Sequence, residues 1–264
     1  MDLHLDGKTA LVTGSTAGIG LAIATLLAQE KAEVMINGRT RQRVDQAIQT
    51  IRKSAPQAKL RGIDADLSTA DGASRITQAI GDVDILVNNA GIFRLAEFDA
   101  IPDSQWEELF QTNVMSGVRL SRFYLPKMLK KNWGRIVFIS SESGIQIPRE
   151  MIHYGLTKTA QLALSRGLAQ LTIGTGVTVN AVLPGPTASE GAGAFVDSIA
   201  KERKITPKQV EQEFFKFARP TSLLQRFATI EEVANMVAYV CSPLASATNG
   251  AALRVDGGVV NSII

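Results

Sequence analysis

Tyr154 and Lys158 stand four residues apart, and Ser141 lies thirteen residues before the tyrosine. On a helix a four-residue spacing puts both side chains on one face. A free phenol, with a pKa of ~10, is a poor base at neutral pH. A neighbouring ammonium favours phenolate and turns tyrosine into a usable proton donor and acceptor. A serine hydroxyl beside that pair can hold a substrate oxygen. By itself, tyrosine four before lysine describes many surface helices, so the reading depends on what else the chain carries.

The second constellation is the run Thr13-Gly14-Ser15-Thr16-Ala17-Gly18-Ile19-Gly20. It follows an apolar run that reads as the first strand and opens a pattern that reads as the first helix. Glycines at such a turn let a pyrophosphate approach the backbone, and the helix start offers free N–H groups and a positive dipole end. The spacing is G-x-x-x-G-x-G rather than G-x-G-x-x-G. Gly14, Ser15, Thr16, Gly18, Ile19 and Gly20 are therefore candidate cofactor contacts.

These motifs resemble those of the short-chain dehydrogenase/reductase family. The likeness recurs along the chain in one order: TGSTAGIG, Asp66-Leu67, Asn88-Asn89-Ala90-Gly91, Asn113, Ser141, Tyr154-x-x-x-Lys158 and Pro184-Gly185. It covers essentially the whole length and is nearest to 3-oxoacyl-[acyl-carrier-protein] reductase-like members. The resemblance implies a doubly wound Rossmann-type sheet of about seven parallel strands. It implies hydride transfer between a nicotinamide and a carbonyl or alcohol, with Asn113, Ser141, Tyr154 and Lys158 as the catalytic group. Asn113 would hold a water linking Lys158 to solvent. Ser140 is the rival serine, but Glu142-Ser143-Gly144 aligns better after Ser141. Asp66 and Leu67 would meet the adenine, and Asn89, Ala90 and Gly91 the ribose. Pro184, Gly185 and Thr187 would meet the nicotinamide carboxamide, beside Tyr154 and Lys158. A homotetramer or homodimer is implied as well.

The cofactor choice turns on Gly38-Arg39-Thr40, at the end of the second strand. Where the family's NAD users carry an acid, this chain has Gly38. Arg39 suits a 2′-phosphate by its bidentate geometry, with Thr40 as a helper. NADP is therefore expected. Ala17, where many NADP users carry a basic residue, leaves NAD open.

The elements that must position these groups alternate between short apolar runs and longer amphipathic stretches. Strands are expected at 8–13, 33–37, 59–63, 84–87, 135–140, 177–182 and 252–255. Helices are expected at 18–29, 40–54, 69–80, 103–131, 154–173 and 231–241. Strand–helix alternation with continuously apolar strands argues for a parallel sheet covered on both faces. No linker divides the chain, so 1–264 reads as one domain. The stretch 188–226 breaks the rhythm. It reads as a lid with a flexible start at 189–194, helices at 194–203 and 206–217, and an apolar wall of Phe195, Phe214, Phe215 and Phe217.

The chain has 264 residues, 45% of them hydrophobic, with 28 Lys and Arg against 25 Asp and Glu, a net +3. That is a globular composition, with no basic cluster for nucleic acid and no apolar run long enough for a membrane. One cysteine, Cys241, forbids an internal disulfide and fits a reducing cytoplasm. The N-terminus does not read as a signal peptide. Two isolated histidines, His4 and His153, give no metal site. His153 reads as an exposed residue at least as readily as a substrate contact. Cys241, Trp106 and Trp133 read as packing. The competing readings are an NAD-linked sugar or polyol dehydrogenase, and a non-catalytic dinucleotide sensor on the same fold.

Overall fold

The computed structural model describes residues 2–263, apart from the side chains of Ala194 and Phe195. Seven parallel strands form one sheet: β1 (Thr9–Val12), β2 (Glu33–Gly38), β3 (Leu60–Asp64), β4 (Ile85–Asn88), β5 (Gly134–Ile139), β6 (Val177–Pro184) and β7 (Ala252–Val255). Their order is β3-β2-β1-β4-β5-β6-β7. The chain winds outward from β1 in one direction and from β4 in the other. The crevice between β1 and β4 is thus the switch point at which ligands of open α/β sheets bind.

Two apolar layers cover the sheet. One packs α1 (Gly18–Gln29), α2 (Arg41–Ser54) and the later α9 (Ile230–Cys241) through Ile23, Leu27, Val44, Val237 and Cys241. The other face buries Ile76 of α3 (Ala70–Ala79) and Leu120, Tyr124 and Met128 of α5 (Ser116–Lys131). β4, β5 and β6 are buried along their whole length, as strands covered on both faces must be.

The expected helix at 103–131 is divided. α4 (Asp103–Phe110) passes into a π-helical turn, Gln111–Met115, before α5 begins. α6 (Ile152–Gln170) starts two residues ahead of Tyr154. The insertion differs from expectation at its start. α7 (Glu190–Arg203) already includes 190–194, because the Ser189 hydroxyl caps it by accepting from Ala192 N. α8 (Pro207–Glu213) opens on a capping box made by Thr206 and Gln209, and a π-helical turn, Phe214–Ala218, follows it. Among the described residues no helix is long and apolar enough to cross a membrane.

Candidate active site

Loops at the carboxyl ends of β1, β4, β5 and β6 converge on one cleft. In the first, three glycines are needed for three different reasons. Gly14 has φ +59°, and a Cβ there would stand 3.0 Å from Ala90 Cα. Gly18 has φ +55° and faces Ser189 across the cleft. Gly20 lies inside α1, where a Cβ would meet Asn89 Nδ2 at 2.4 Å and Gly14 O at 2.5 Å. Side chains at these positions would clash or strain the backbone. α1 has no side-chain cap at Ala17 and no acid in its first turn. Its N-terminal donors and dipole are left to an anion, so the cradle fits a dinucleotide pyrophosphate.

Two residues brace this turn. Thr13 Oγ1 accepts from Asn89 N and Ala90 N, both at 2.9 Å, while Asn89 Nδ2 donates to Thr13 O at 2.8 Å. Asn37 accepts from Gly14 N at 3.2 Å and donates to Ile63 O and Ala65 O. Asn37 was not among the residues expected at the site. Its signal is a lone amide buried in an otherwise apolar strand, where the polar group needs several partners.

Arg39 and Thr40 are exposed beside the turn. Arg39 has no hydrogen bond or ion pair with any described residue, whereas Arg41 and Arg43 pair with Asp45 and Glu190. The Thr40 hydroxyl caps α2 by accepting from Arg43 N. Asp66 is exposed and forms an Asx turn with Ser68 N, but the Leu67 side chain is in the core, so only its backbone could reach a ligand.

The second group gathers around α6. Lys158 is buried, and its Nζ donates to Ile139 O at 2.9 Å and Gln161 Oε1 at 3.1 Å. Gln161 Nε2 in turn donates to Asn113 O at 2.6 Å. That carbonyl lies in the π-helical turn, a motif that frees backbone groups from the α-helical ladder. The Asn113 side chain accepts from Ile92 N and donates to Ile92 O and Thr157 Oγ1. Asn113 and Lys158 are therefore brought together through Gln161, which had not been anticipated.

Burial pulls Lys158 down to about 7, against the opposing pull of Glu142. Tyr154 is half-buried, with its ring centroid 5.5 Å from Lys158 Nζ. Burial and then Glu142 push its phenol up, while a hydrogen bond with Ser141 and the Arg219 charge work the other way. Arg219 adds a cation that favours phenolate, beyond the ammonium expected to do so. The expected ammonium at position 158 is itself weakened by burial.

Ser141 ends the loop after β5, caps the turn Glu142–Gly144 and donates to Glu142. Ser140 Oγ is committed to Lys158 O at 2.9 Å, which removes it as the rival. After β6, Gly185 packs on the Asp256 backbone, and Thr187 is buried and donates to Gly185 O.

These groups line a cavity of about 1080 Å³ that runs from Ile19 to the insertion. Phe214 and Phe217 wall its far side. Phe215 instead is buried against Phe214 and Phe227, and Phe195 lies outside the described side chains. His153, which could have been exposed, is fully buried against Trp106, with rings 5.7 Å apart and both ring nitrogens unpartnered. Among the described residues no three His, Cys, Asp or Glu cluster as a metal site would require.

Comparison with known proteins agrees with this architecture. The short chain dehydrogenase family model matches residues 8–199. The chain is 50% identical over 263 residues to the Bacillus subtilis uncharacterized oxidoreductase YvaG, covering all of both proteins. It is 34% identical over 263 residues to the 3-oxoacyl-[acyl-carrier-protein] reductase FabG of Aquifex aeolicus, covering 98% of this chain and all of that one. L-sorbose reductase from Gluconobacter frateurii, solved with NADPH and L-sorbose, superposes with a TM-score of 0.93 at 29% identity over all of both chains. The chain belongs to the short-chain dehydrogenase/reductase family. It is an oxidoreductase of that family, which sets aside the sensor reading.

Proposed function

We propose that the protein is an NADP(H)-dependent reductase of small ketones, working reversibly on the matching secondary alcohols, with Tyr154 as its acid/base. The observation that carries this reading is continuity. The cavity that holds Ser141, Tyr154 and Lys158 reaches Ile19 and Asn89, which flank the glycine cradle.

The first βα turn would hold the pyrophosphate, and Asp66, Leu67 and the segment from Asn89 to Gly91 the adenosine half. Pro184, Gly185, Thr187, Tyr154 and Lys158 would hold the nicotinamide half. The bound cofactor supplies the hydride. Tyr154 gives a proton to the ketone oxygen or takes one from the alcohol. Lys158, poised near neutrality, would exchange that proton with solvent water, while Gln161, itself held by the Asn113 carbonyl of the π-helical turn, fixes the ammonium in place.

Unpartnered Arg39 beside side-chain-free Gly38 supports NADP over NAD. A cavity wall of Phe214, Phe217, Val196 and Ile199 supports an aliphatic ketone such as a 3-oxoacyl thioester. A second reading, a ketose or polyol substrate, is favoured by the likeness to L-sorbose reductase and by Arg149 and Glu150 in the same wall. We read 1–264 as one domain with the insertion at about 188–226, since β7 from the C-terminal end pairs with β6. A cytoplasmic setting and a homodimer or homotetramer complete the proposal.

The test is cofactor oxidation with acetoacetyl thioester, L-sorbose and simple ketones, using NADPH and NADH in parallel. Turnover with at least one ketone and preference for NADPH are expected. Arg39→Ala should weaken NADPH binding about 10–100-fold and leave NADH unchanged, the scale of a charge-assisted pair. Gly38→Asp is the poorer probe, because its Cβ would sit 2.3 Å from Thr16 Cγ2. Equal NADPH and NADH affinities in the unmodified protein would remove Arg39 from the site.

A further inference from the structure

Arg219 enters the cleft wall from the insertion with only 7% of its side chain exposed. A guanidinium carries five N–H donors and no acceptor. Nε donates to Glu142 Oε1 at 3.1 Å. Nη1 donates to Glu150 Oε1 at 3.0 Å and to Ala218 O at 2.8 Å. The Phe214 ring packs beside the group, its centroid 5.6 Å from Cζ. Three donors are thus committed, and the two left over sit on one atom, Nη2. Among the described residues Nη2 has no partner, yet it is not sealed from solvent.

Burying an arginine with its carboxylate is costly, and apolar contacts of the same volume dock two segments at least as well. The uncommitted nitrogen gives the pair a use beyond packing. Glu142 is fully engaged: its Oε2 accepts from the Ser141 hydroxyl, from Ser143 N and from Ser143 Oγ. Nη2 therefore belongs to a group only two hydrogen bonds away from Ser141, and the Arg219 charge is felt at the Tyr154 phenol. A substrate whose carbonyl meets Ser141 and Tyr154 would bring a substituent a few carbons away to Nη2. Glu150 lines the same cleft and is partly exposed, and its Oε2 accepts from no described residue. A free donor and a free acceptor thus flank the contact between Arg219 and Glu150. A hydroxyl group uses both, whereas a carbonyl or an apolar chain cannot. Two carboxylates to one guanidinium disfavour an anion. Elsewhere in the wall Arg203 is paired with Glu213, and Arg149 and Glu97, of opposite sign, are exposed.

We propose that Arg219 Nη2 and Glu150 Oε2 form a subsite for a neutral hydroxyl group, which makes hydroxylated ketones the substrate class and Arg219 a specificity determinant held in place by Glu142. The inference rests on the reading of the cleft as that of a ketone reductase. A site built to bond a hydroxyl discriminates against the analogue that lacks it, because its own polar groups are then left unpaired.

The test compares kcat/KM with NADPH for butan-2-one, 1-hydroxybutan-2-one, 4-hydroxybutan-2-one, L-erythrulose, acetoacetate and an acetoacetyl thioester. In the wild type the best hydroxyketone should exceed butan-2-one about 10–100-fold, the scale of a hydrogen bond to a charged group. In Arg219→Lys, which keeps the charge and loses the fork, that ratio should fall to near one. In Glu150→Ala the ratio should fall part of the way, and acetoacetate should gain on butan-2-one because one carboxylate is gone. A merely structural pair would lower all ketones together and leave every ratio in place.

A wild-type ratio near one, ratios unchanged in both variants, or a preference for acetoacetate or the thioester over every hydroxyketone would overturn the proposal. If Arg219→Lys does not fold, Glu150→Ala decides. Turnover of no ketone at all would instead defeat the reductase reading. Saturation-transfer NMR of the same hydroxyketones then decides the subsite, with binding expected to the wild type and lost in the variants, and binding to neither or equally to all would overturn it.

Discussion

Lys158 ties stability to the candidate site. Its buried ammonium titrates near 7 in the folded protein, against 10.5 for the ordinary group. Between those values the unfolded chain binds a proton that the folded chain does not, so stability rises with pH across that window. Below about 7 both states are charged, and the folded protein carries the full cost of a buried cation. Lys158→Met should abolish that rise, on the order of 5 kcal/mol across the window at about 1.4 kcal/mol per pH unit. Urea unfolding at intervals from roughly pH 6 to pH 10 measures it as a difference between variant and wild type. The variant also leaves Ile139 O and Gln161 Oε1 without their donor. The informative quantity is therefore the slope rather than the stability at any one pH. A parallel slope in both proteins would mean that Lys158 is not desolvated.

Among the elements, the insertion is held at several points around the cleft. Its two ends meet at the bridge between Thr187 and Ala228. Ser189 packs over Gly18, Glu190 pairs with Arg43 at 3.1 Å, and Arg219 pairs with Glu142. Between these anchors α7 and α8 expose Lys201, Lys204 and Lys208, and Lys204 ends α7 in the left-handed region at φ +53°. Trypsin should cut after Lys204 in the free protein, and NADPH should slow that cut by bracing the anchors at Gly18 and Arg43. Cleavage at one rate with and without NADPH would describe a permanently docked helical pair. Periodicity and capping made much of this element scale legible in the sequence. α1 spans the residues expected, and Thr206-Pro207 announces α8. Two features escape such reading. The π-helical turn at Gln111–Met115 keeps an unbroken helical pattern, because one shifted hydrogen bond leaves no mark on apolar spacing. The start of α7 escapes because Gly191 and Gly193 look like a hinge, yet the Ser189 cap and tertiary contacts carry the helix through them.

For the molecule as a whole, the glycine turn, Asp66-Leu67, Asn89-Ala90-Gly91, Ser141 and Pro184-Gly185 sit at the carboxyl ends of strands, and the sheet order brings those ends to one side. The π-helical turn and α6 set Asn113, Tyr154 and Lys158 beside them. Partners remote in sequence were not legible in this way. Glu142 with Arg219 and Gln161 with Asn113 are brought together by the tertiary fold, and no local pattern encodes such a meeting. The central claim is that one chain binds NADPH at the glycine cradle and moves a proton through Tyr154 at the other end of the same cleft. Tyr154→Phe separates the two functions, since it removes one hydroxyl and leaves the cradle untouched. The decisive measurement is a single turnover of pre-bound NADPH with the best ketone from the panel, beside a calorimetric titration of NADPH into both proteins. The account predicts equal NADPH affinity, with oxidation of the bound cofactor in the wild type and at least a hundredfold loss, on the order of what general acid catalysis contributes, in the variant. Oxidation at near wild-type rate by Tyr154→Phe would contradict it.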